Sequence, residues 1–302
     1  MANLETTSAD LSSWTIGVIG LGLMGLPMAR NLMAAGARVV VHSRSPAPVE
    51  ALVAEGAERA DGPEDLAARV DLVILMLTDT PAVDSVAGAL IGAARSGLTV
   101  VDMGTTALAA TQGLAARLGE RGGHWVDAPV SGGQLGAQEG TLSIMVGASE
   151  ADFARLSPLF QVLGRKITHV GDLGAGQVAK AANQVIVGLT IGAVSEALAL
   201  AKAAGVDPAK VREALMGGFA TSRILELHGQ RMIDGAFTPG GRASVQRKDL
   251  QQALDLAEHL GVDLPATALS RDLYDRMIAL GWGDLDHSGL FKVYENGTAD
   301  PK

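Results

Sequence analysis

The chain has 302 residues, of which 48% are hydrophobic and only 3% aromatic, enough for two domains whose cores are built from Ala, Leu, Val and Ile rather than rings. It contains no cysteine, which excludes disulfides, thiolate metal sites and a cysteine nucleophile and fits a reducing, cytoplasmic compartment. The net charge of −9, with no cluster of Lys and Arg, argues against nucleic acid or an anionic membrane as partner, so an anionic substrate must be held by local donors.

Residues 1–13 are polar, lack an apolar run and contain no Arg; they read as a frayed tail rather than a signal or transit peptide. From Thr15 to about Val170, short β-rich runs alternate with helical patterns. The expected strands are 16–20, 38–42, 72–77, 99–103, 124–126, 143–146 and 167–170. Stretches such as "VDLVILML" are apolar at both alternating positions, as in parallel strands covered by helices on both faces. Helix starts are signalled by Pro63-Glu64-Asp65 and Pro81, and stops by Gly36 and Gly122. The expectation for 14–172 is therefore a doubly wound α/β domain.

Beyond Gly176 the strand patterns vanish. "GQVAKAANQVIVGLTIGAVSEALALAKAAGV" is one long helical run, followed by expected helices over 208–216, 222–233, 244–260 and 265–280, so 173–302 reads as an all-α domain. The long run passes a crude test for a membrane span, but Lys180, Asn183, Gln184, Ser195 and Glu196 speak against lipid. A core helix, or one buried in a dimer, accounts for the same composition. The histidines, His42, His124, His169, His228, His259 and His287, are dispersed, and no metal is expected.

Three stretches carry chemistry. "VIGLGLMG" sets Gly20, Gly22 and Gly25 as G-x-G-x-x-G directly after a strand and before a helix. Such a turn lets backbone approach a pyrophosphate at a helix N-terminus, which makes Gly20, Leu21, Gly22, Leu23, Met24 and Gly25 candidates for binding a dinucleotide, with Leu77 at the end of a later strand. In "VDAPVSGG", Ser131, Gly132 and Gly133 form either an ordinary Gly-Gly turn or a small nest of N–H groups suited to a carboxylate. In "GAGQVAKAANQ", Lys180, Asn183 and Gln184 stand at i, i+3 and i+4 and so share a helix face. Alanines around Lys180 and the following Val185-Ile186-Val187 are compatible with a semi-buried amine, whose desolvation would lower its pKa toward use as a proton donor or acceptor.

The cofactor's identity is read from "RVVVHSRSPAP". An acid at the end of the second strand would favour NAD by accepting from the ribose 2′-OH, but no acid occurs before Glu50. Ser43, Arg44 and Ser45 stand there instead, suited to a 2′-phosphate, and NADP(H) is expected over NAD(H).

Together with "VDMGTT", "EGTLSIMVGA", "RKDL" and "LDHSGL", these motifs resemble the β-hydroxyacid dehydrogenase family, over about 16–295. The resemblance implies a Rossmann domain joined by a long helix to an all-α domain, often in dimers or tetramers. It further implies Lys180 as catalytic acid/base, and Ser131, Gly132 and Gly133 as the carboxylate site. Asn183 or Gln184 would meet the substrate, and Thr105 and Lys248 would contact the cofactor. Many members place Asn four residues after the lysine; here that position is Gln184, with Asn183 one earlier, an arrangement similar to that of tartronate semialdehyde reductases. The expected activity is interconversion of a small β-hydroxy acid and its semialdehyde. The alternatives are an imine reductase of the same fold, which usually lacks the lysine, and a non-catalytic dinucleotide-binding protein.

Overall fold

The computed structural model describes residues 9–295. The chain forms two compact units, one ending at Lys180 and the other beginning at Ala181. Residues 1–8 of the expected tail lie outside the described residues, but residues 9–13 are part of the fold, contrary to expectation. Leu11 is fully buried in the core and donates its N–H to the Ala35 carbonyl, because one apolar side chain suffices to anchor a polar segment.

In the first unit, β1 (Thr15–Ile19), α1 (Gly25–Ala34), β2 (Arg38–His42), α2 (Pro46–Ala54), β3 (Glu58–Arg59), α3 (Pro63–Arg69), β4 (Leu72–Leu75), α4 (Thr80–Ala93), β5 (Thr99–Asp102), α5 (Leu108–Gly119) and β6 (His124–Asp127) form the alternating portion. There follow β7 (Val130–Ser131), α6 (Gly133–Glu139), β8 (Leu142–Gly147), α7 (Glu150–Leu163), β9 (Gly164–Gly171) and the start of α8 (Ala175–Ala203). The strand order is β3-β2-β1-β4-β5-β6-β8-β7, with β9 on β8. The pairs from β3 to β6 are parallel, whereas β8 runs antiparallel to β6 and β7.

Strand alternation divides the apolar residues between two cores, one on each face of the sheet. Val39 and Val41 enter one core and Val40 the other; Leu72 and Ile74 part from Val73 and Leu75 in the same way. This is why these strands read as continuous apolar runs. The helices begin where their caps allow: Asp79 accepts from the Ala82 N–H at 2.9 Å, and Pro63 and Pro81 occupy first-turn positions that need no backbone donor.

The second unit continues α8 and adds α9 (Pro208–Leu215), α10 (Arg223–Asp234), α11 (Ala243–His259), α12 (Pro265–Ala279), a 3-10 helix (His287–Leu290) and α13 (Phe291–Glu295). Its core joins Ile191, Val194 and Leu198 of α8 to Leu225, Leu250, Tyr274, Met277 and Phe291. Among the described residues α8 alone is long and apolar enough to cross a membrane. Its buried positions include Lys180, Gln184 and Ser195 as well as core aliphatics, the pattern of a helix packed within protein.

Candidate active site

The glycine-rich turn follows β1, which sits between β2 and β4 where the strand order reverses, the place at which open α/β sheets receive ligands. Gly20 has φ +97°, and a Cβ there would lie 2.3 Å from the Met76 carbonyl oxygen. A Cβ on Gly25 would lie 1.9 Å from the Gly20 oxygen, so the third glycine brings α1 tight against the turn. At Gly22 the situation is reversed, with no atom within 4 Å of the place a Cβ would take. Two glycines are thus demanded by the protein's own packing, and the middle one leaves open space at the mouth of α1, the cradle a pyrophosphate needs. Leu21 is buried, so its side chain belongs to the core and only its backbone is available to a ligand; Leu23 is exposed and Met24 half-buried.

The other sequence-derived cofactor residues of this unit lie at the same strand ends. Ser43, Arg44 and Ser45 connect β2 to α2, Leu77 follows β4 and Thr105 follows β5. Arg44 and Ser45 are exposed, and Arg44 makes no ion pair with any described residue. The Thr105 loop is braced by two residues that sequence reasoning missed. Asp102 accepts from the Gly104 N–H at 3.0 Å and from the Thr106 hydroxyl at 2.5 Å. Gln177 accepts from the Thr106 N–H at 3.1 Å and donates to the Gly104 carbonyl at 3.1 Å.

Lys180 is buried, and its Nζ donates to the Val130 carbonyl at 2.9 Å. Val130 precedes Ser131, so the amine is fixed beside the Ser131-Gly132-Gly133 turn. Gly132 and Gly133 have φ of +133° and +62°, are exposed, and open α6. The segment that carries the amine is held by Asp127, a third residue not singled out from sequence. Asp127 is fully buried and accepts from the N–H groups of Gly174 at 2.6 Å and Gln177 at 2.9 Å, clamping the first turn of α8 to the end of β6. Burial raises its pKa, opposed by the N–H donors of Gly174, Gln177 and Gly176. The signal was present as the first residue of "DAPVSGG", but an acid followed by a turn has too many ordinary explanations.

Asn183, Gln184 and Lys248 belong to the second unit. Gln184 is buried and bonded to Gln246 and Asp249 of α11, and Asn183 donates to Gln184. Lys248 is half-buried with its Nζ 2.8 Å from an Asp249 carboxylate oxygen.

The fold also brings together His228 and His287, which the sequence keeps far apart: their Nε2 atoms are 3.3 Å apart, with Asp286 adjacent. Asp286 is an internal anchor. One oxygen accepts from the Ser288 hydroxyl and N–H, and the other from Arg231, Gly240 and Gly241. Saturated carboxylate oxygens with a guanidinium alongside suit a structural brace, not a cation. Burial would raise this carboxyl, but His287, Ser288 and the Gly240 N–H together outweigh it and bring the pKa down to about 2.

The turn at β1 and the clamped, buried lysine describe an oxidoreductase that uses a nicotinamide dinucleotide. Comparison with known sequences agrees. Residues 15–171 match the family profile described as the NAD-binding domain of 6-phosphogluconate dehydrogenase, and residues 174–294 that of the NAD-binding domain of NADP-dependent 3-hydroxyisobutyrate dehydrogenase. The chain is 47% identical over 283 residues to the 2-hydroxy-3-oxopropionate reductase of Escherichia coli K12, covering 93% of this chain and 97% of that one. It is 36% identical to the 3-hydroxyisobutyrate dehydrogenase of Pseudomonas aeruginosa, covering 91% and 95%. The solved 3-hydroxyisobutyrate dehydrogenase of Mycobacterium tuberculosis, with L-serine, superposes with a TM-score of 0.86 at 29% identity, covering 93% of this chain and 98% of that one. The chain belongs to the β-hydroxyacid dehydrogenase family and is an NAD(P)-dependent oxidoreductase acting on CH–OH groups.

Proposed function

We propose that the chain is an NADPH-linked reductase that converts 2-hydroxy-3-oxopropionate, or a closely similar small semialdehyde acid, to the corresponding hydroxy acid. The observation that carries this reading is the buried Lys180 amine, held 2.9 Å from the Val130 carbonyl beside the Ser131 turn. A bound nicotinamide supplies the hydride. Lys180 supplies the proton to the oxygen of the aldehyde as it gains negative charge, a contribution typically of about 10²–10⁴-fold. The bond to Val130 restrains the amine, so little rotational freedom is lost when it meets the substrate. Ser131 and the backbone N–H groups of Gly132 and Gly133 hold the substrate carboxylate, and the loop braced by Asp102 and Gln177 carries Thr105 to the cofactor.

Similarity to the Escherichia coli reductase supports the substrate. The preference for NADPH is supported by Arg44, exposed and without an ion-pair partner, and by the absence of an acid in its loop. A buried lysine speaks against the imine-reductase alternative. The reading includes a cytoplasmic location, in keeping with the cysteine-free composition, and no nucleic-acid or membrane partner. It also includes a homodimer or homotetramer, supported by the exposed Ile186 and Leu200 on α8.

The test is a panel of NADPH- and NADH-oxidation rates with 2-hydroxy-3-oxopropionate, succinic semialdehyde, methylmalonate semialdehyde and glyoxylate. The highest kcat/KM is expected for 2-hydroxy-3-oxopropionate with NADPH, and Arg44→Ala should weaken NADPH far more than NADH. A wild-type preference for NADH, or equal losses in the variant, would refute the assigned role of this loop.

A further inference from the structure

Strands β5 and β6 end on two acids, Asp102 and Asp127, which are register partners in the sheet and are both fully buried. Asp102 holds the loop that follows its own strand, and Asp127 holds the start of α8. Gln177 is the residue in which the two meet. Its backbone N–H donates to Asp127 Oδ2 at 2.9 Å. Its carboxamide accepts from the Thr106 N–H and donates to the Gly104 carbonyl, both at 3.1 Å. A backbone N–H only donates and a carbonyl only accepts, so the orientation of this carboxamide is fixed. Gly104 and Thr106 are thus each held twice, once by Asp102 and once by Gln177. Gln177 and Thr106 are 4% and 3% exposed and Gly104 is buried, whereas Thr105 is half-buried.

We propose that Gln177 is a positioning residue that fixes the register between the loop carrying Thr105 to the cofactor and the turn of α8 carrying Lys180, so that hydride donor and proton donor are held in one geometry. This rests on the functional reading above. Lys180 follows Gln177 by three residues in α8, about one helical turn and roughly 4.5 Å along the axis. One planar side chain therefore ties the loop after β5 to the helical turn that bears the amine. Reduction needs both donors at once, because the carbonyl oxygen gains charge as hydride reaches the carbon. A misplacement of about 1 Å between them costs on the order of 10²-fold in rate. NADPH affinity is assigned to the turn after β1 and to the Arg44 loop, and Gln177 is bonded to neither. Loss of register should therefore fall on kcat and spare cofactor binding.

The experiment compares wild type with Gln177→Met, which keeps the length and removes both side-chain hydrogen bonds, and with the isosteric Gln177→Glu. Gln177→Met should lower kcat for NADPH-dependent reduction of 2-hydroxy-3-oxopropionate by about 10–10²-fold and leave the dissociation constant for NADPH within about threefold. Its isotope effect with NADPH deuterated at the transferred position should be at least as large as that of wild type. In Gln177→Glu the ionised carboxyl sets an oxygen against the Gly104 carbonyl, and the protonated acid restores both bonds. Burial and the carboxylates of Asp102 and Asp127 raise this carboxyl above its ordinary range, opposed by the charge of Lys180 one turn on. The ratio of its kcat to that of wild type should thus be low near pH 9 and rise about tenfold toward about pH 6, with NADPH binding and thermal unfolding followed at each pH. Three outcomes in an active enzyme would overturn the inference and leave the functional reading intact: a folded Gln177→Met with kcat within about threefold of wild type, a loss of kcat matched by weaker NADPH binding, or a Gln177→Glu ratio that is flat with pH or follows unfolding of the variant. If Gln177→Met does not fold, the pH series decides by itself. Wild-type inactivity on the semialdehyde panel would overturn the functional reading and the inference with it.

Discussion

Gly22→Ala separates the needs of the fold from the needs of the cofactor. A Cβ at Gly22 meets nothing within 4 Å, and the residue has no positive φ, so the substitution should change stability by no more than about 0.5 kcal/mol. The matched variant Gly25→Ala drives a methyl to 1.9 Å from the Gly20 oxygen, well inside van der Waals contact. Relief requires α1 or the turn to shift, at a cost of roughly 1–3 kcal/mol. In a unit of this size that lowers the midpoint of thermal unfolding by about 2–4 °C for each kcal/mol. Dinucleotide binding should show the opposite order of specificity. The methyl of Gly22→Ala takes the space assigned to the pyrophosphate and should weaken NADPH at least tenfold, about 1.4 kcal/mol, in a protein that melts like wild type. Thermal unfolding without cofactor and NADPH titration by fluorescence, run on both variants, supply the two readouts. If Gly22→Ala binds NADPH as wild type does, the pyrophosphate lies elsewhere. If it melts as low as Gly25→Ala, the open space beside Gly22 is not real.

Ser131→Ala should raise KM for carboxylate-bearing substrates by about tenfold while lowering kcat less, since the carboxylate contact exists before and during reaction; an unchanged KM would place the anion elsewhere. Asp127→Ala, which unclamps the start of α8, should lower kcat with Lys180 still present and destabilise the fold by about 2–4 kcal/mol, measured by steady-state kinetics and denaturant unfolding. Asp286 has its pKa lowered from 3.8 to about 2, so its stabilising contribution, on the order of 2 kcal/mol, is complete above pH 4 and lost as pH falls from there through 2. Asp286→Asn should flatten that part of the stability–pH curve, and an unaltered slope would remove Asp286 from the account.

The fold was legible where one physical cause dominated. The strands β1, β2, β4 and β5 are apolar on both faces because two cores claim them, and the pattern stands in the sequence without ambiguity. The two-residue strands β3 and β7 were missed, since pairs such as Glu58-Arg59 carry no periodicity and are extended only because a neighbouring strand binds them. Leu11 was assigned to a tail because its neighbours are polar, and a single buried side chain leaves no pattern. The 3-10 helix at 287–290 is capped by Asp286 through Ser288, and Asp286 is itself held by Arg231, Gly240 and Gly241, which are distant in sequence.

The site divided in the same way. Glycine spacing exposed the tight turn after β1 because glycine is used there for what it lacks, and Lys180 stood out as a charge among alanines. The residues that brace the Thr105 loop and the start of α8 (Asp102, Asp127 and Gln177), and Asp249, which holds Gln184, could not be recognised in advance. Each acts on backbone or side chains brought to it by the fold, and an isolated acid or amide in a sequence names no partner. Gln184 shows the limit most sharply: helix spacing put it on the face of Lys180, and nothing in the sequence announced the two acceptors of α11 that its side-chain nitrogen meets.

The central claim is that the buried Lys180 amine donates the proton that accompanies hydride transfer. Its most direct test is the kcat of Lys180→Ala for NADPH-dependent reduction of 2-hydroxy-3-oxopropionate, measured beside the dissociation constant for NADPH. The account predicts a fall in kcat of at least about 10²-fold with the dissociation constant nearly unchanged, because the lysine meets the reacting oxygen and not the pyrophosphate. A variant that retains more than about a tenth of the wild-type kcat, a loss below about 1.4 kcal/mol in the barrier, would contradict it.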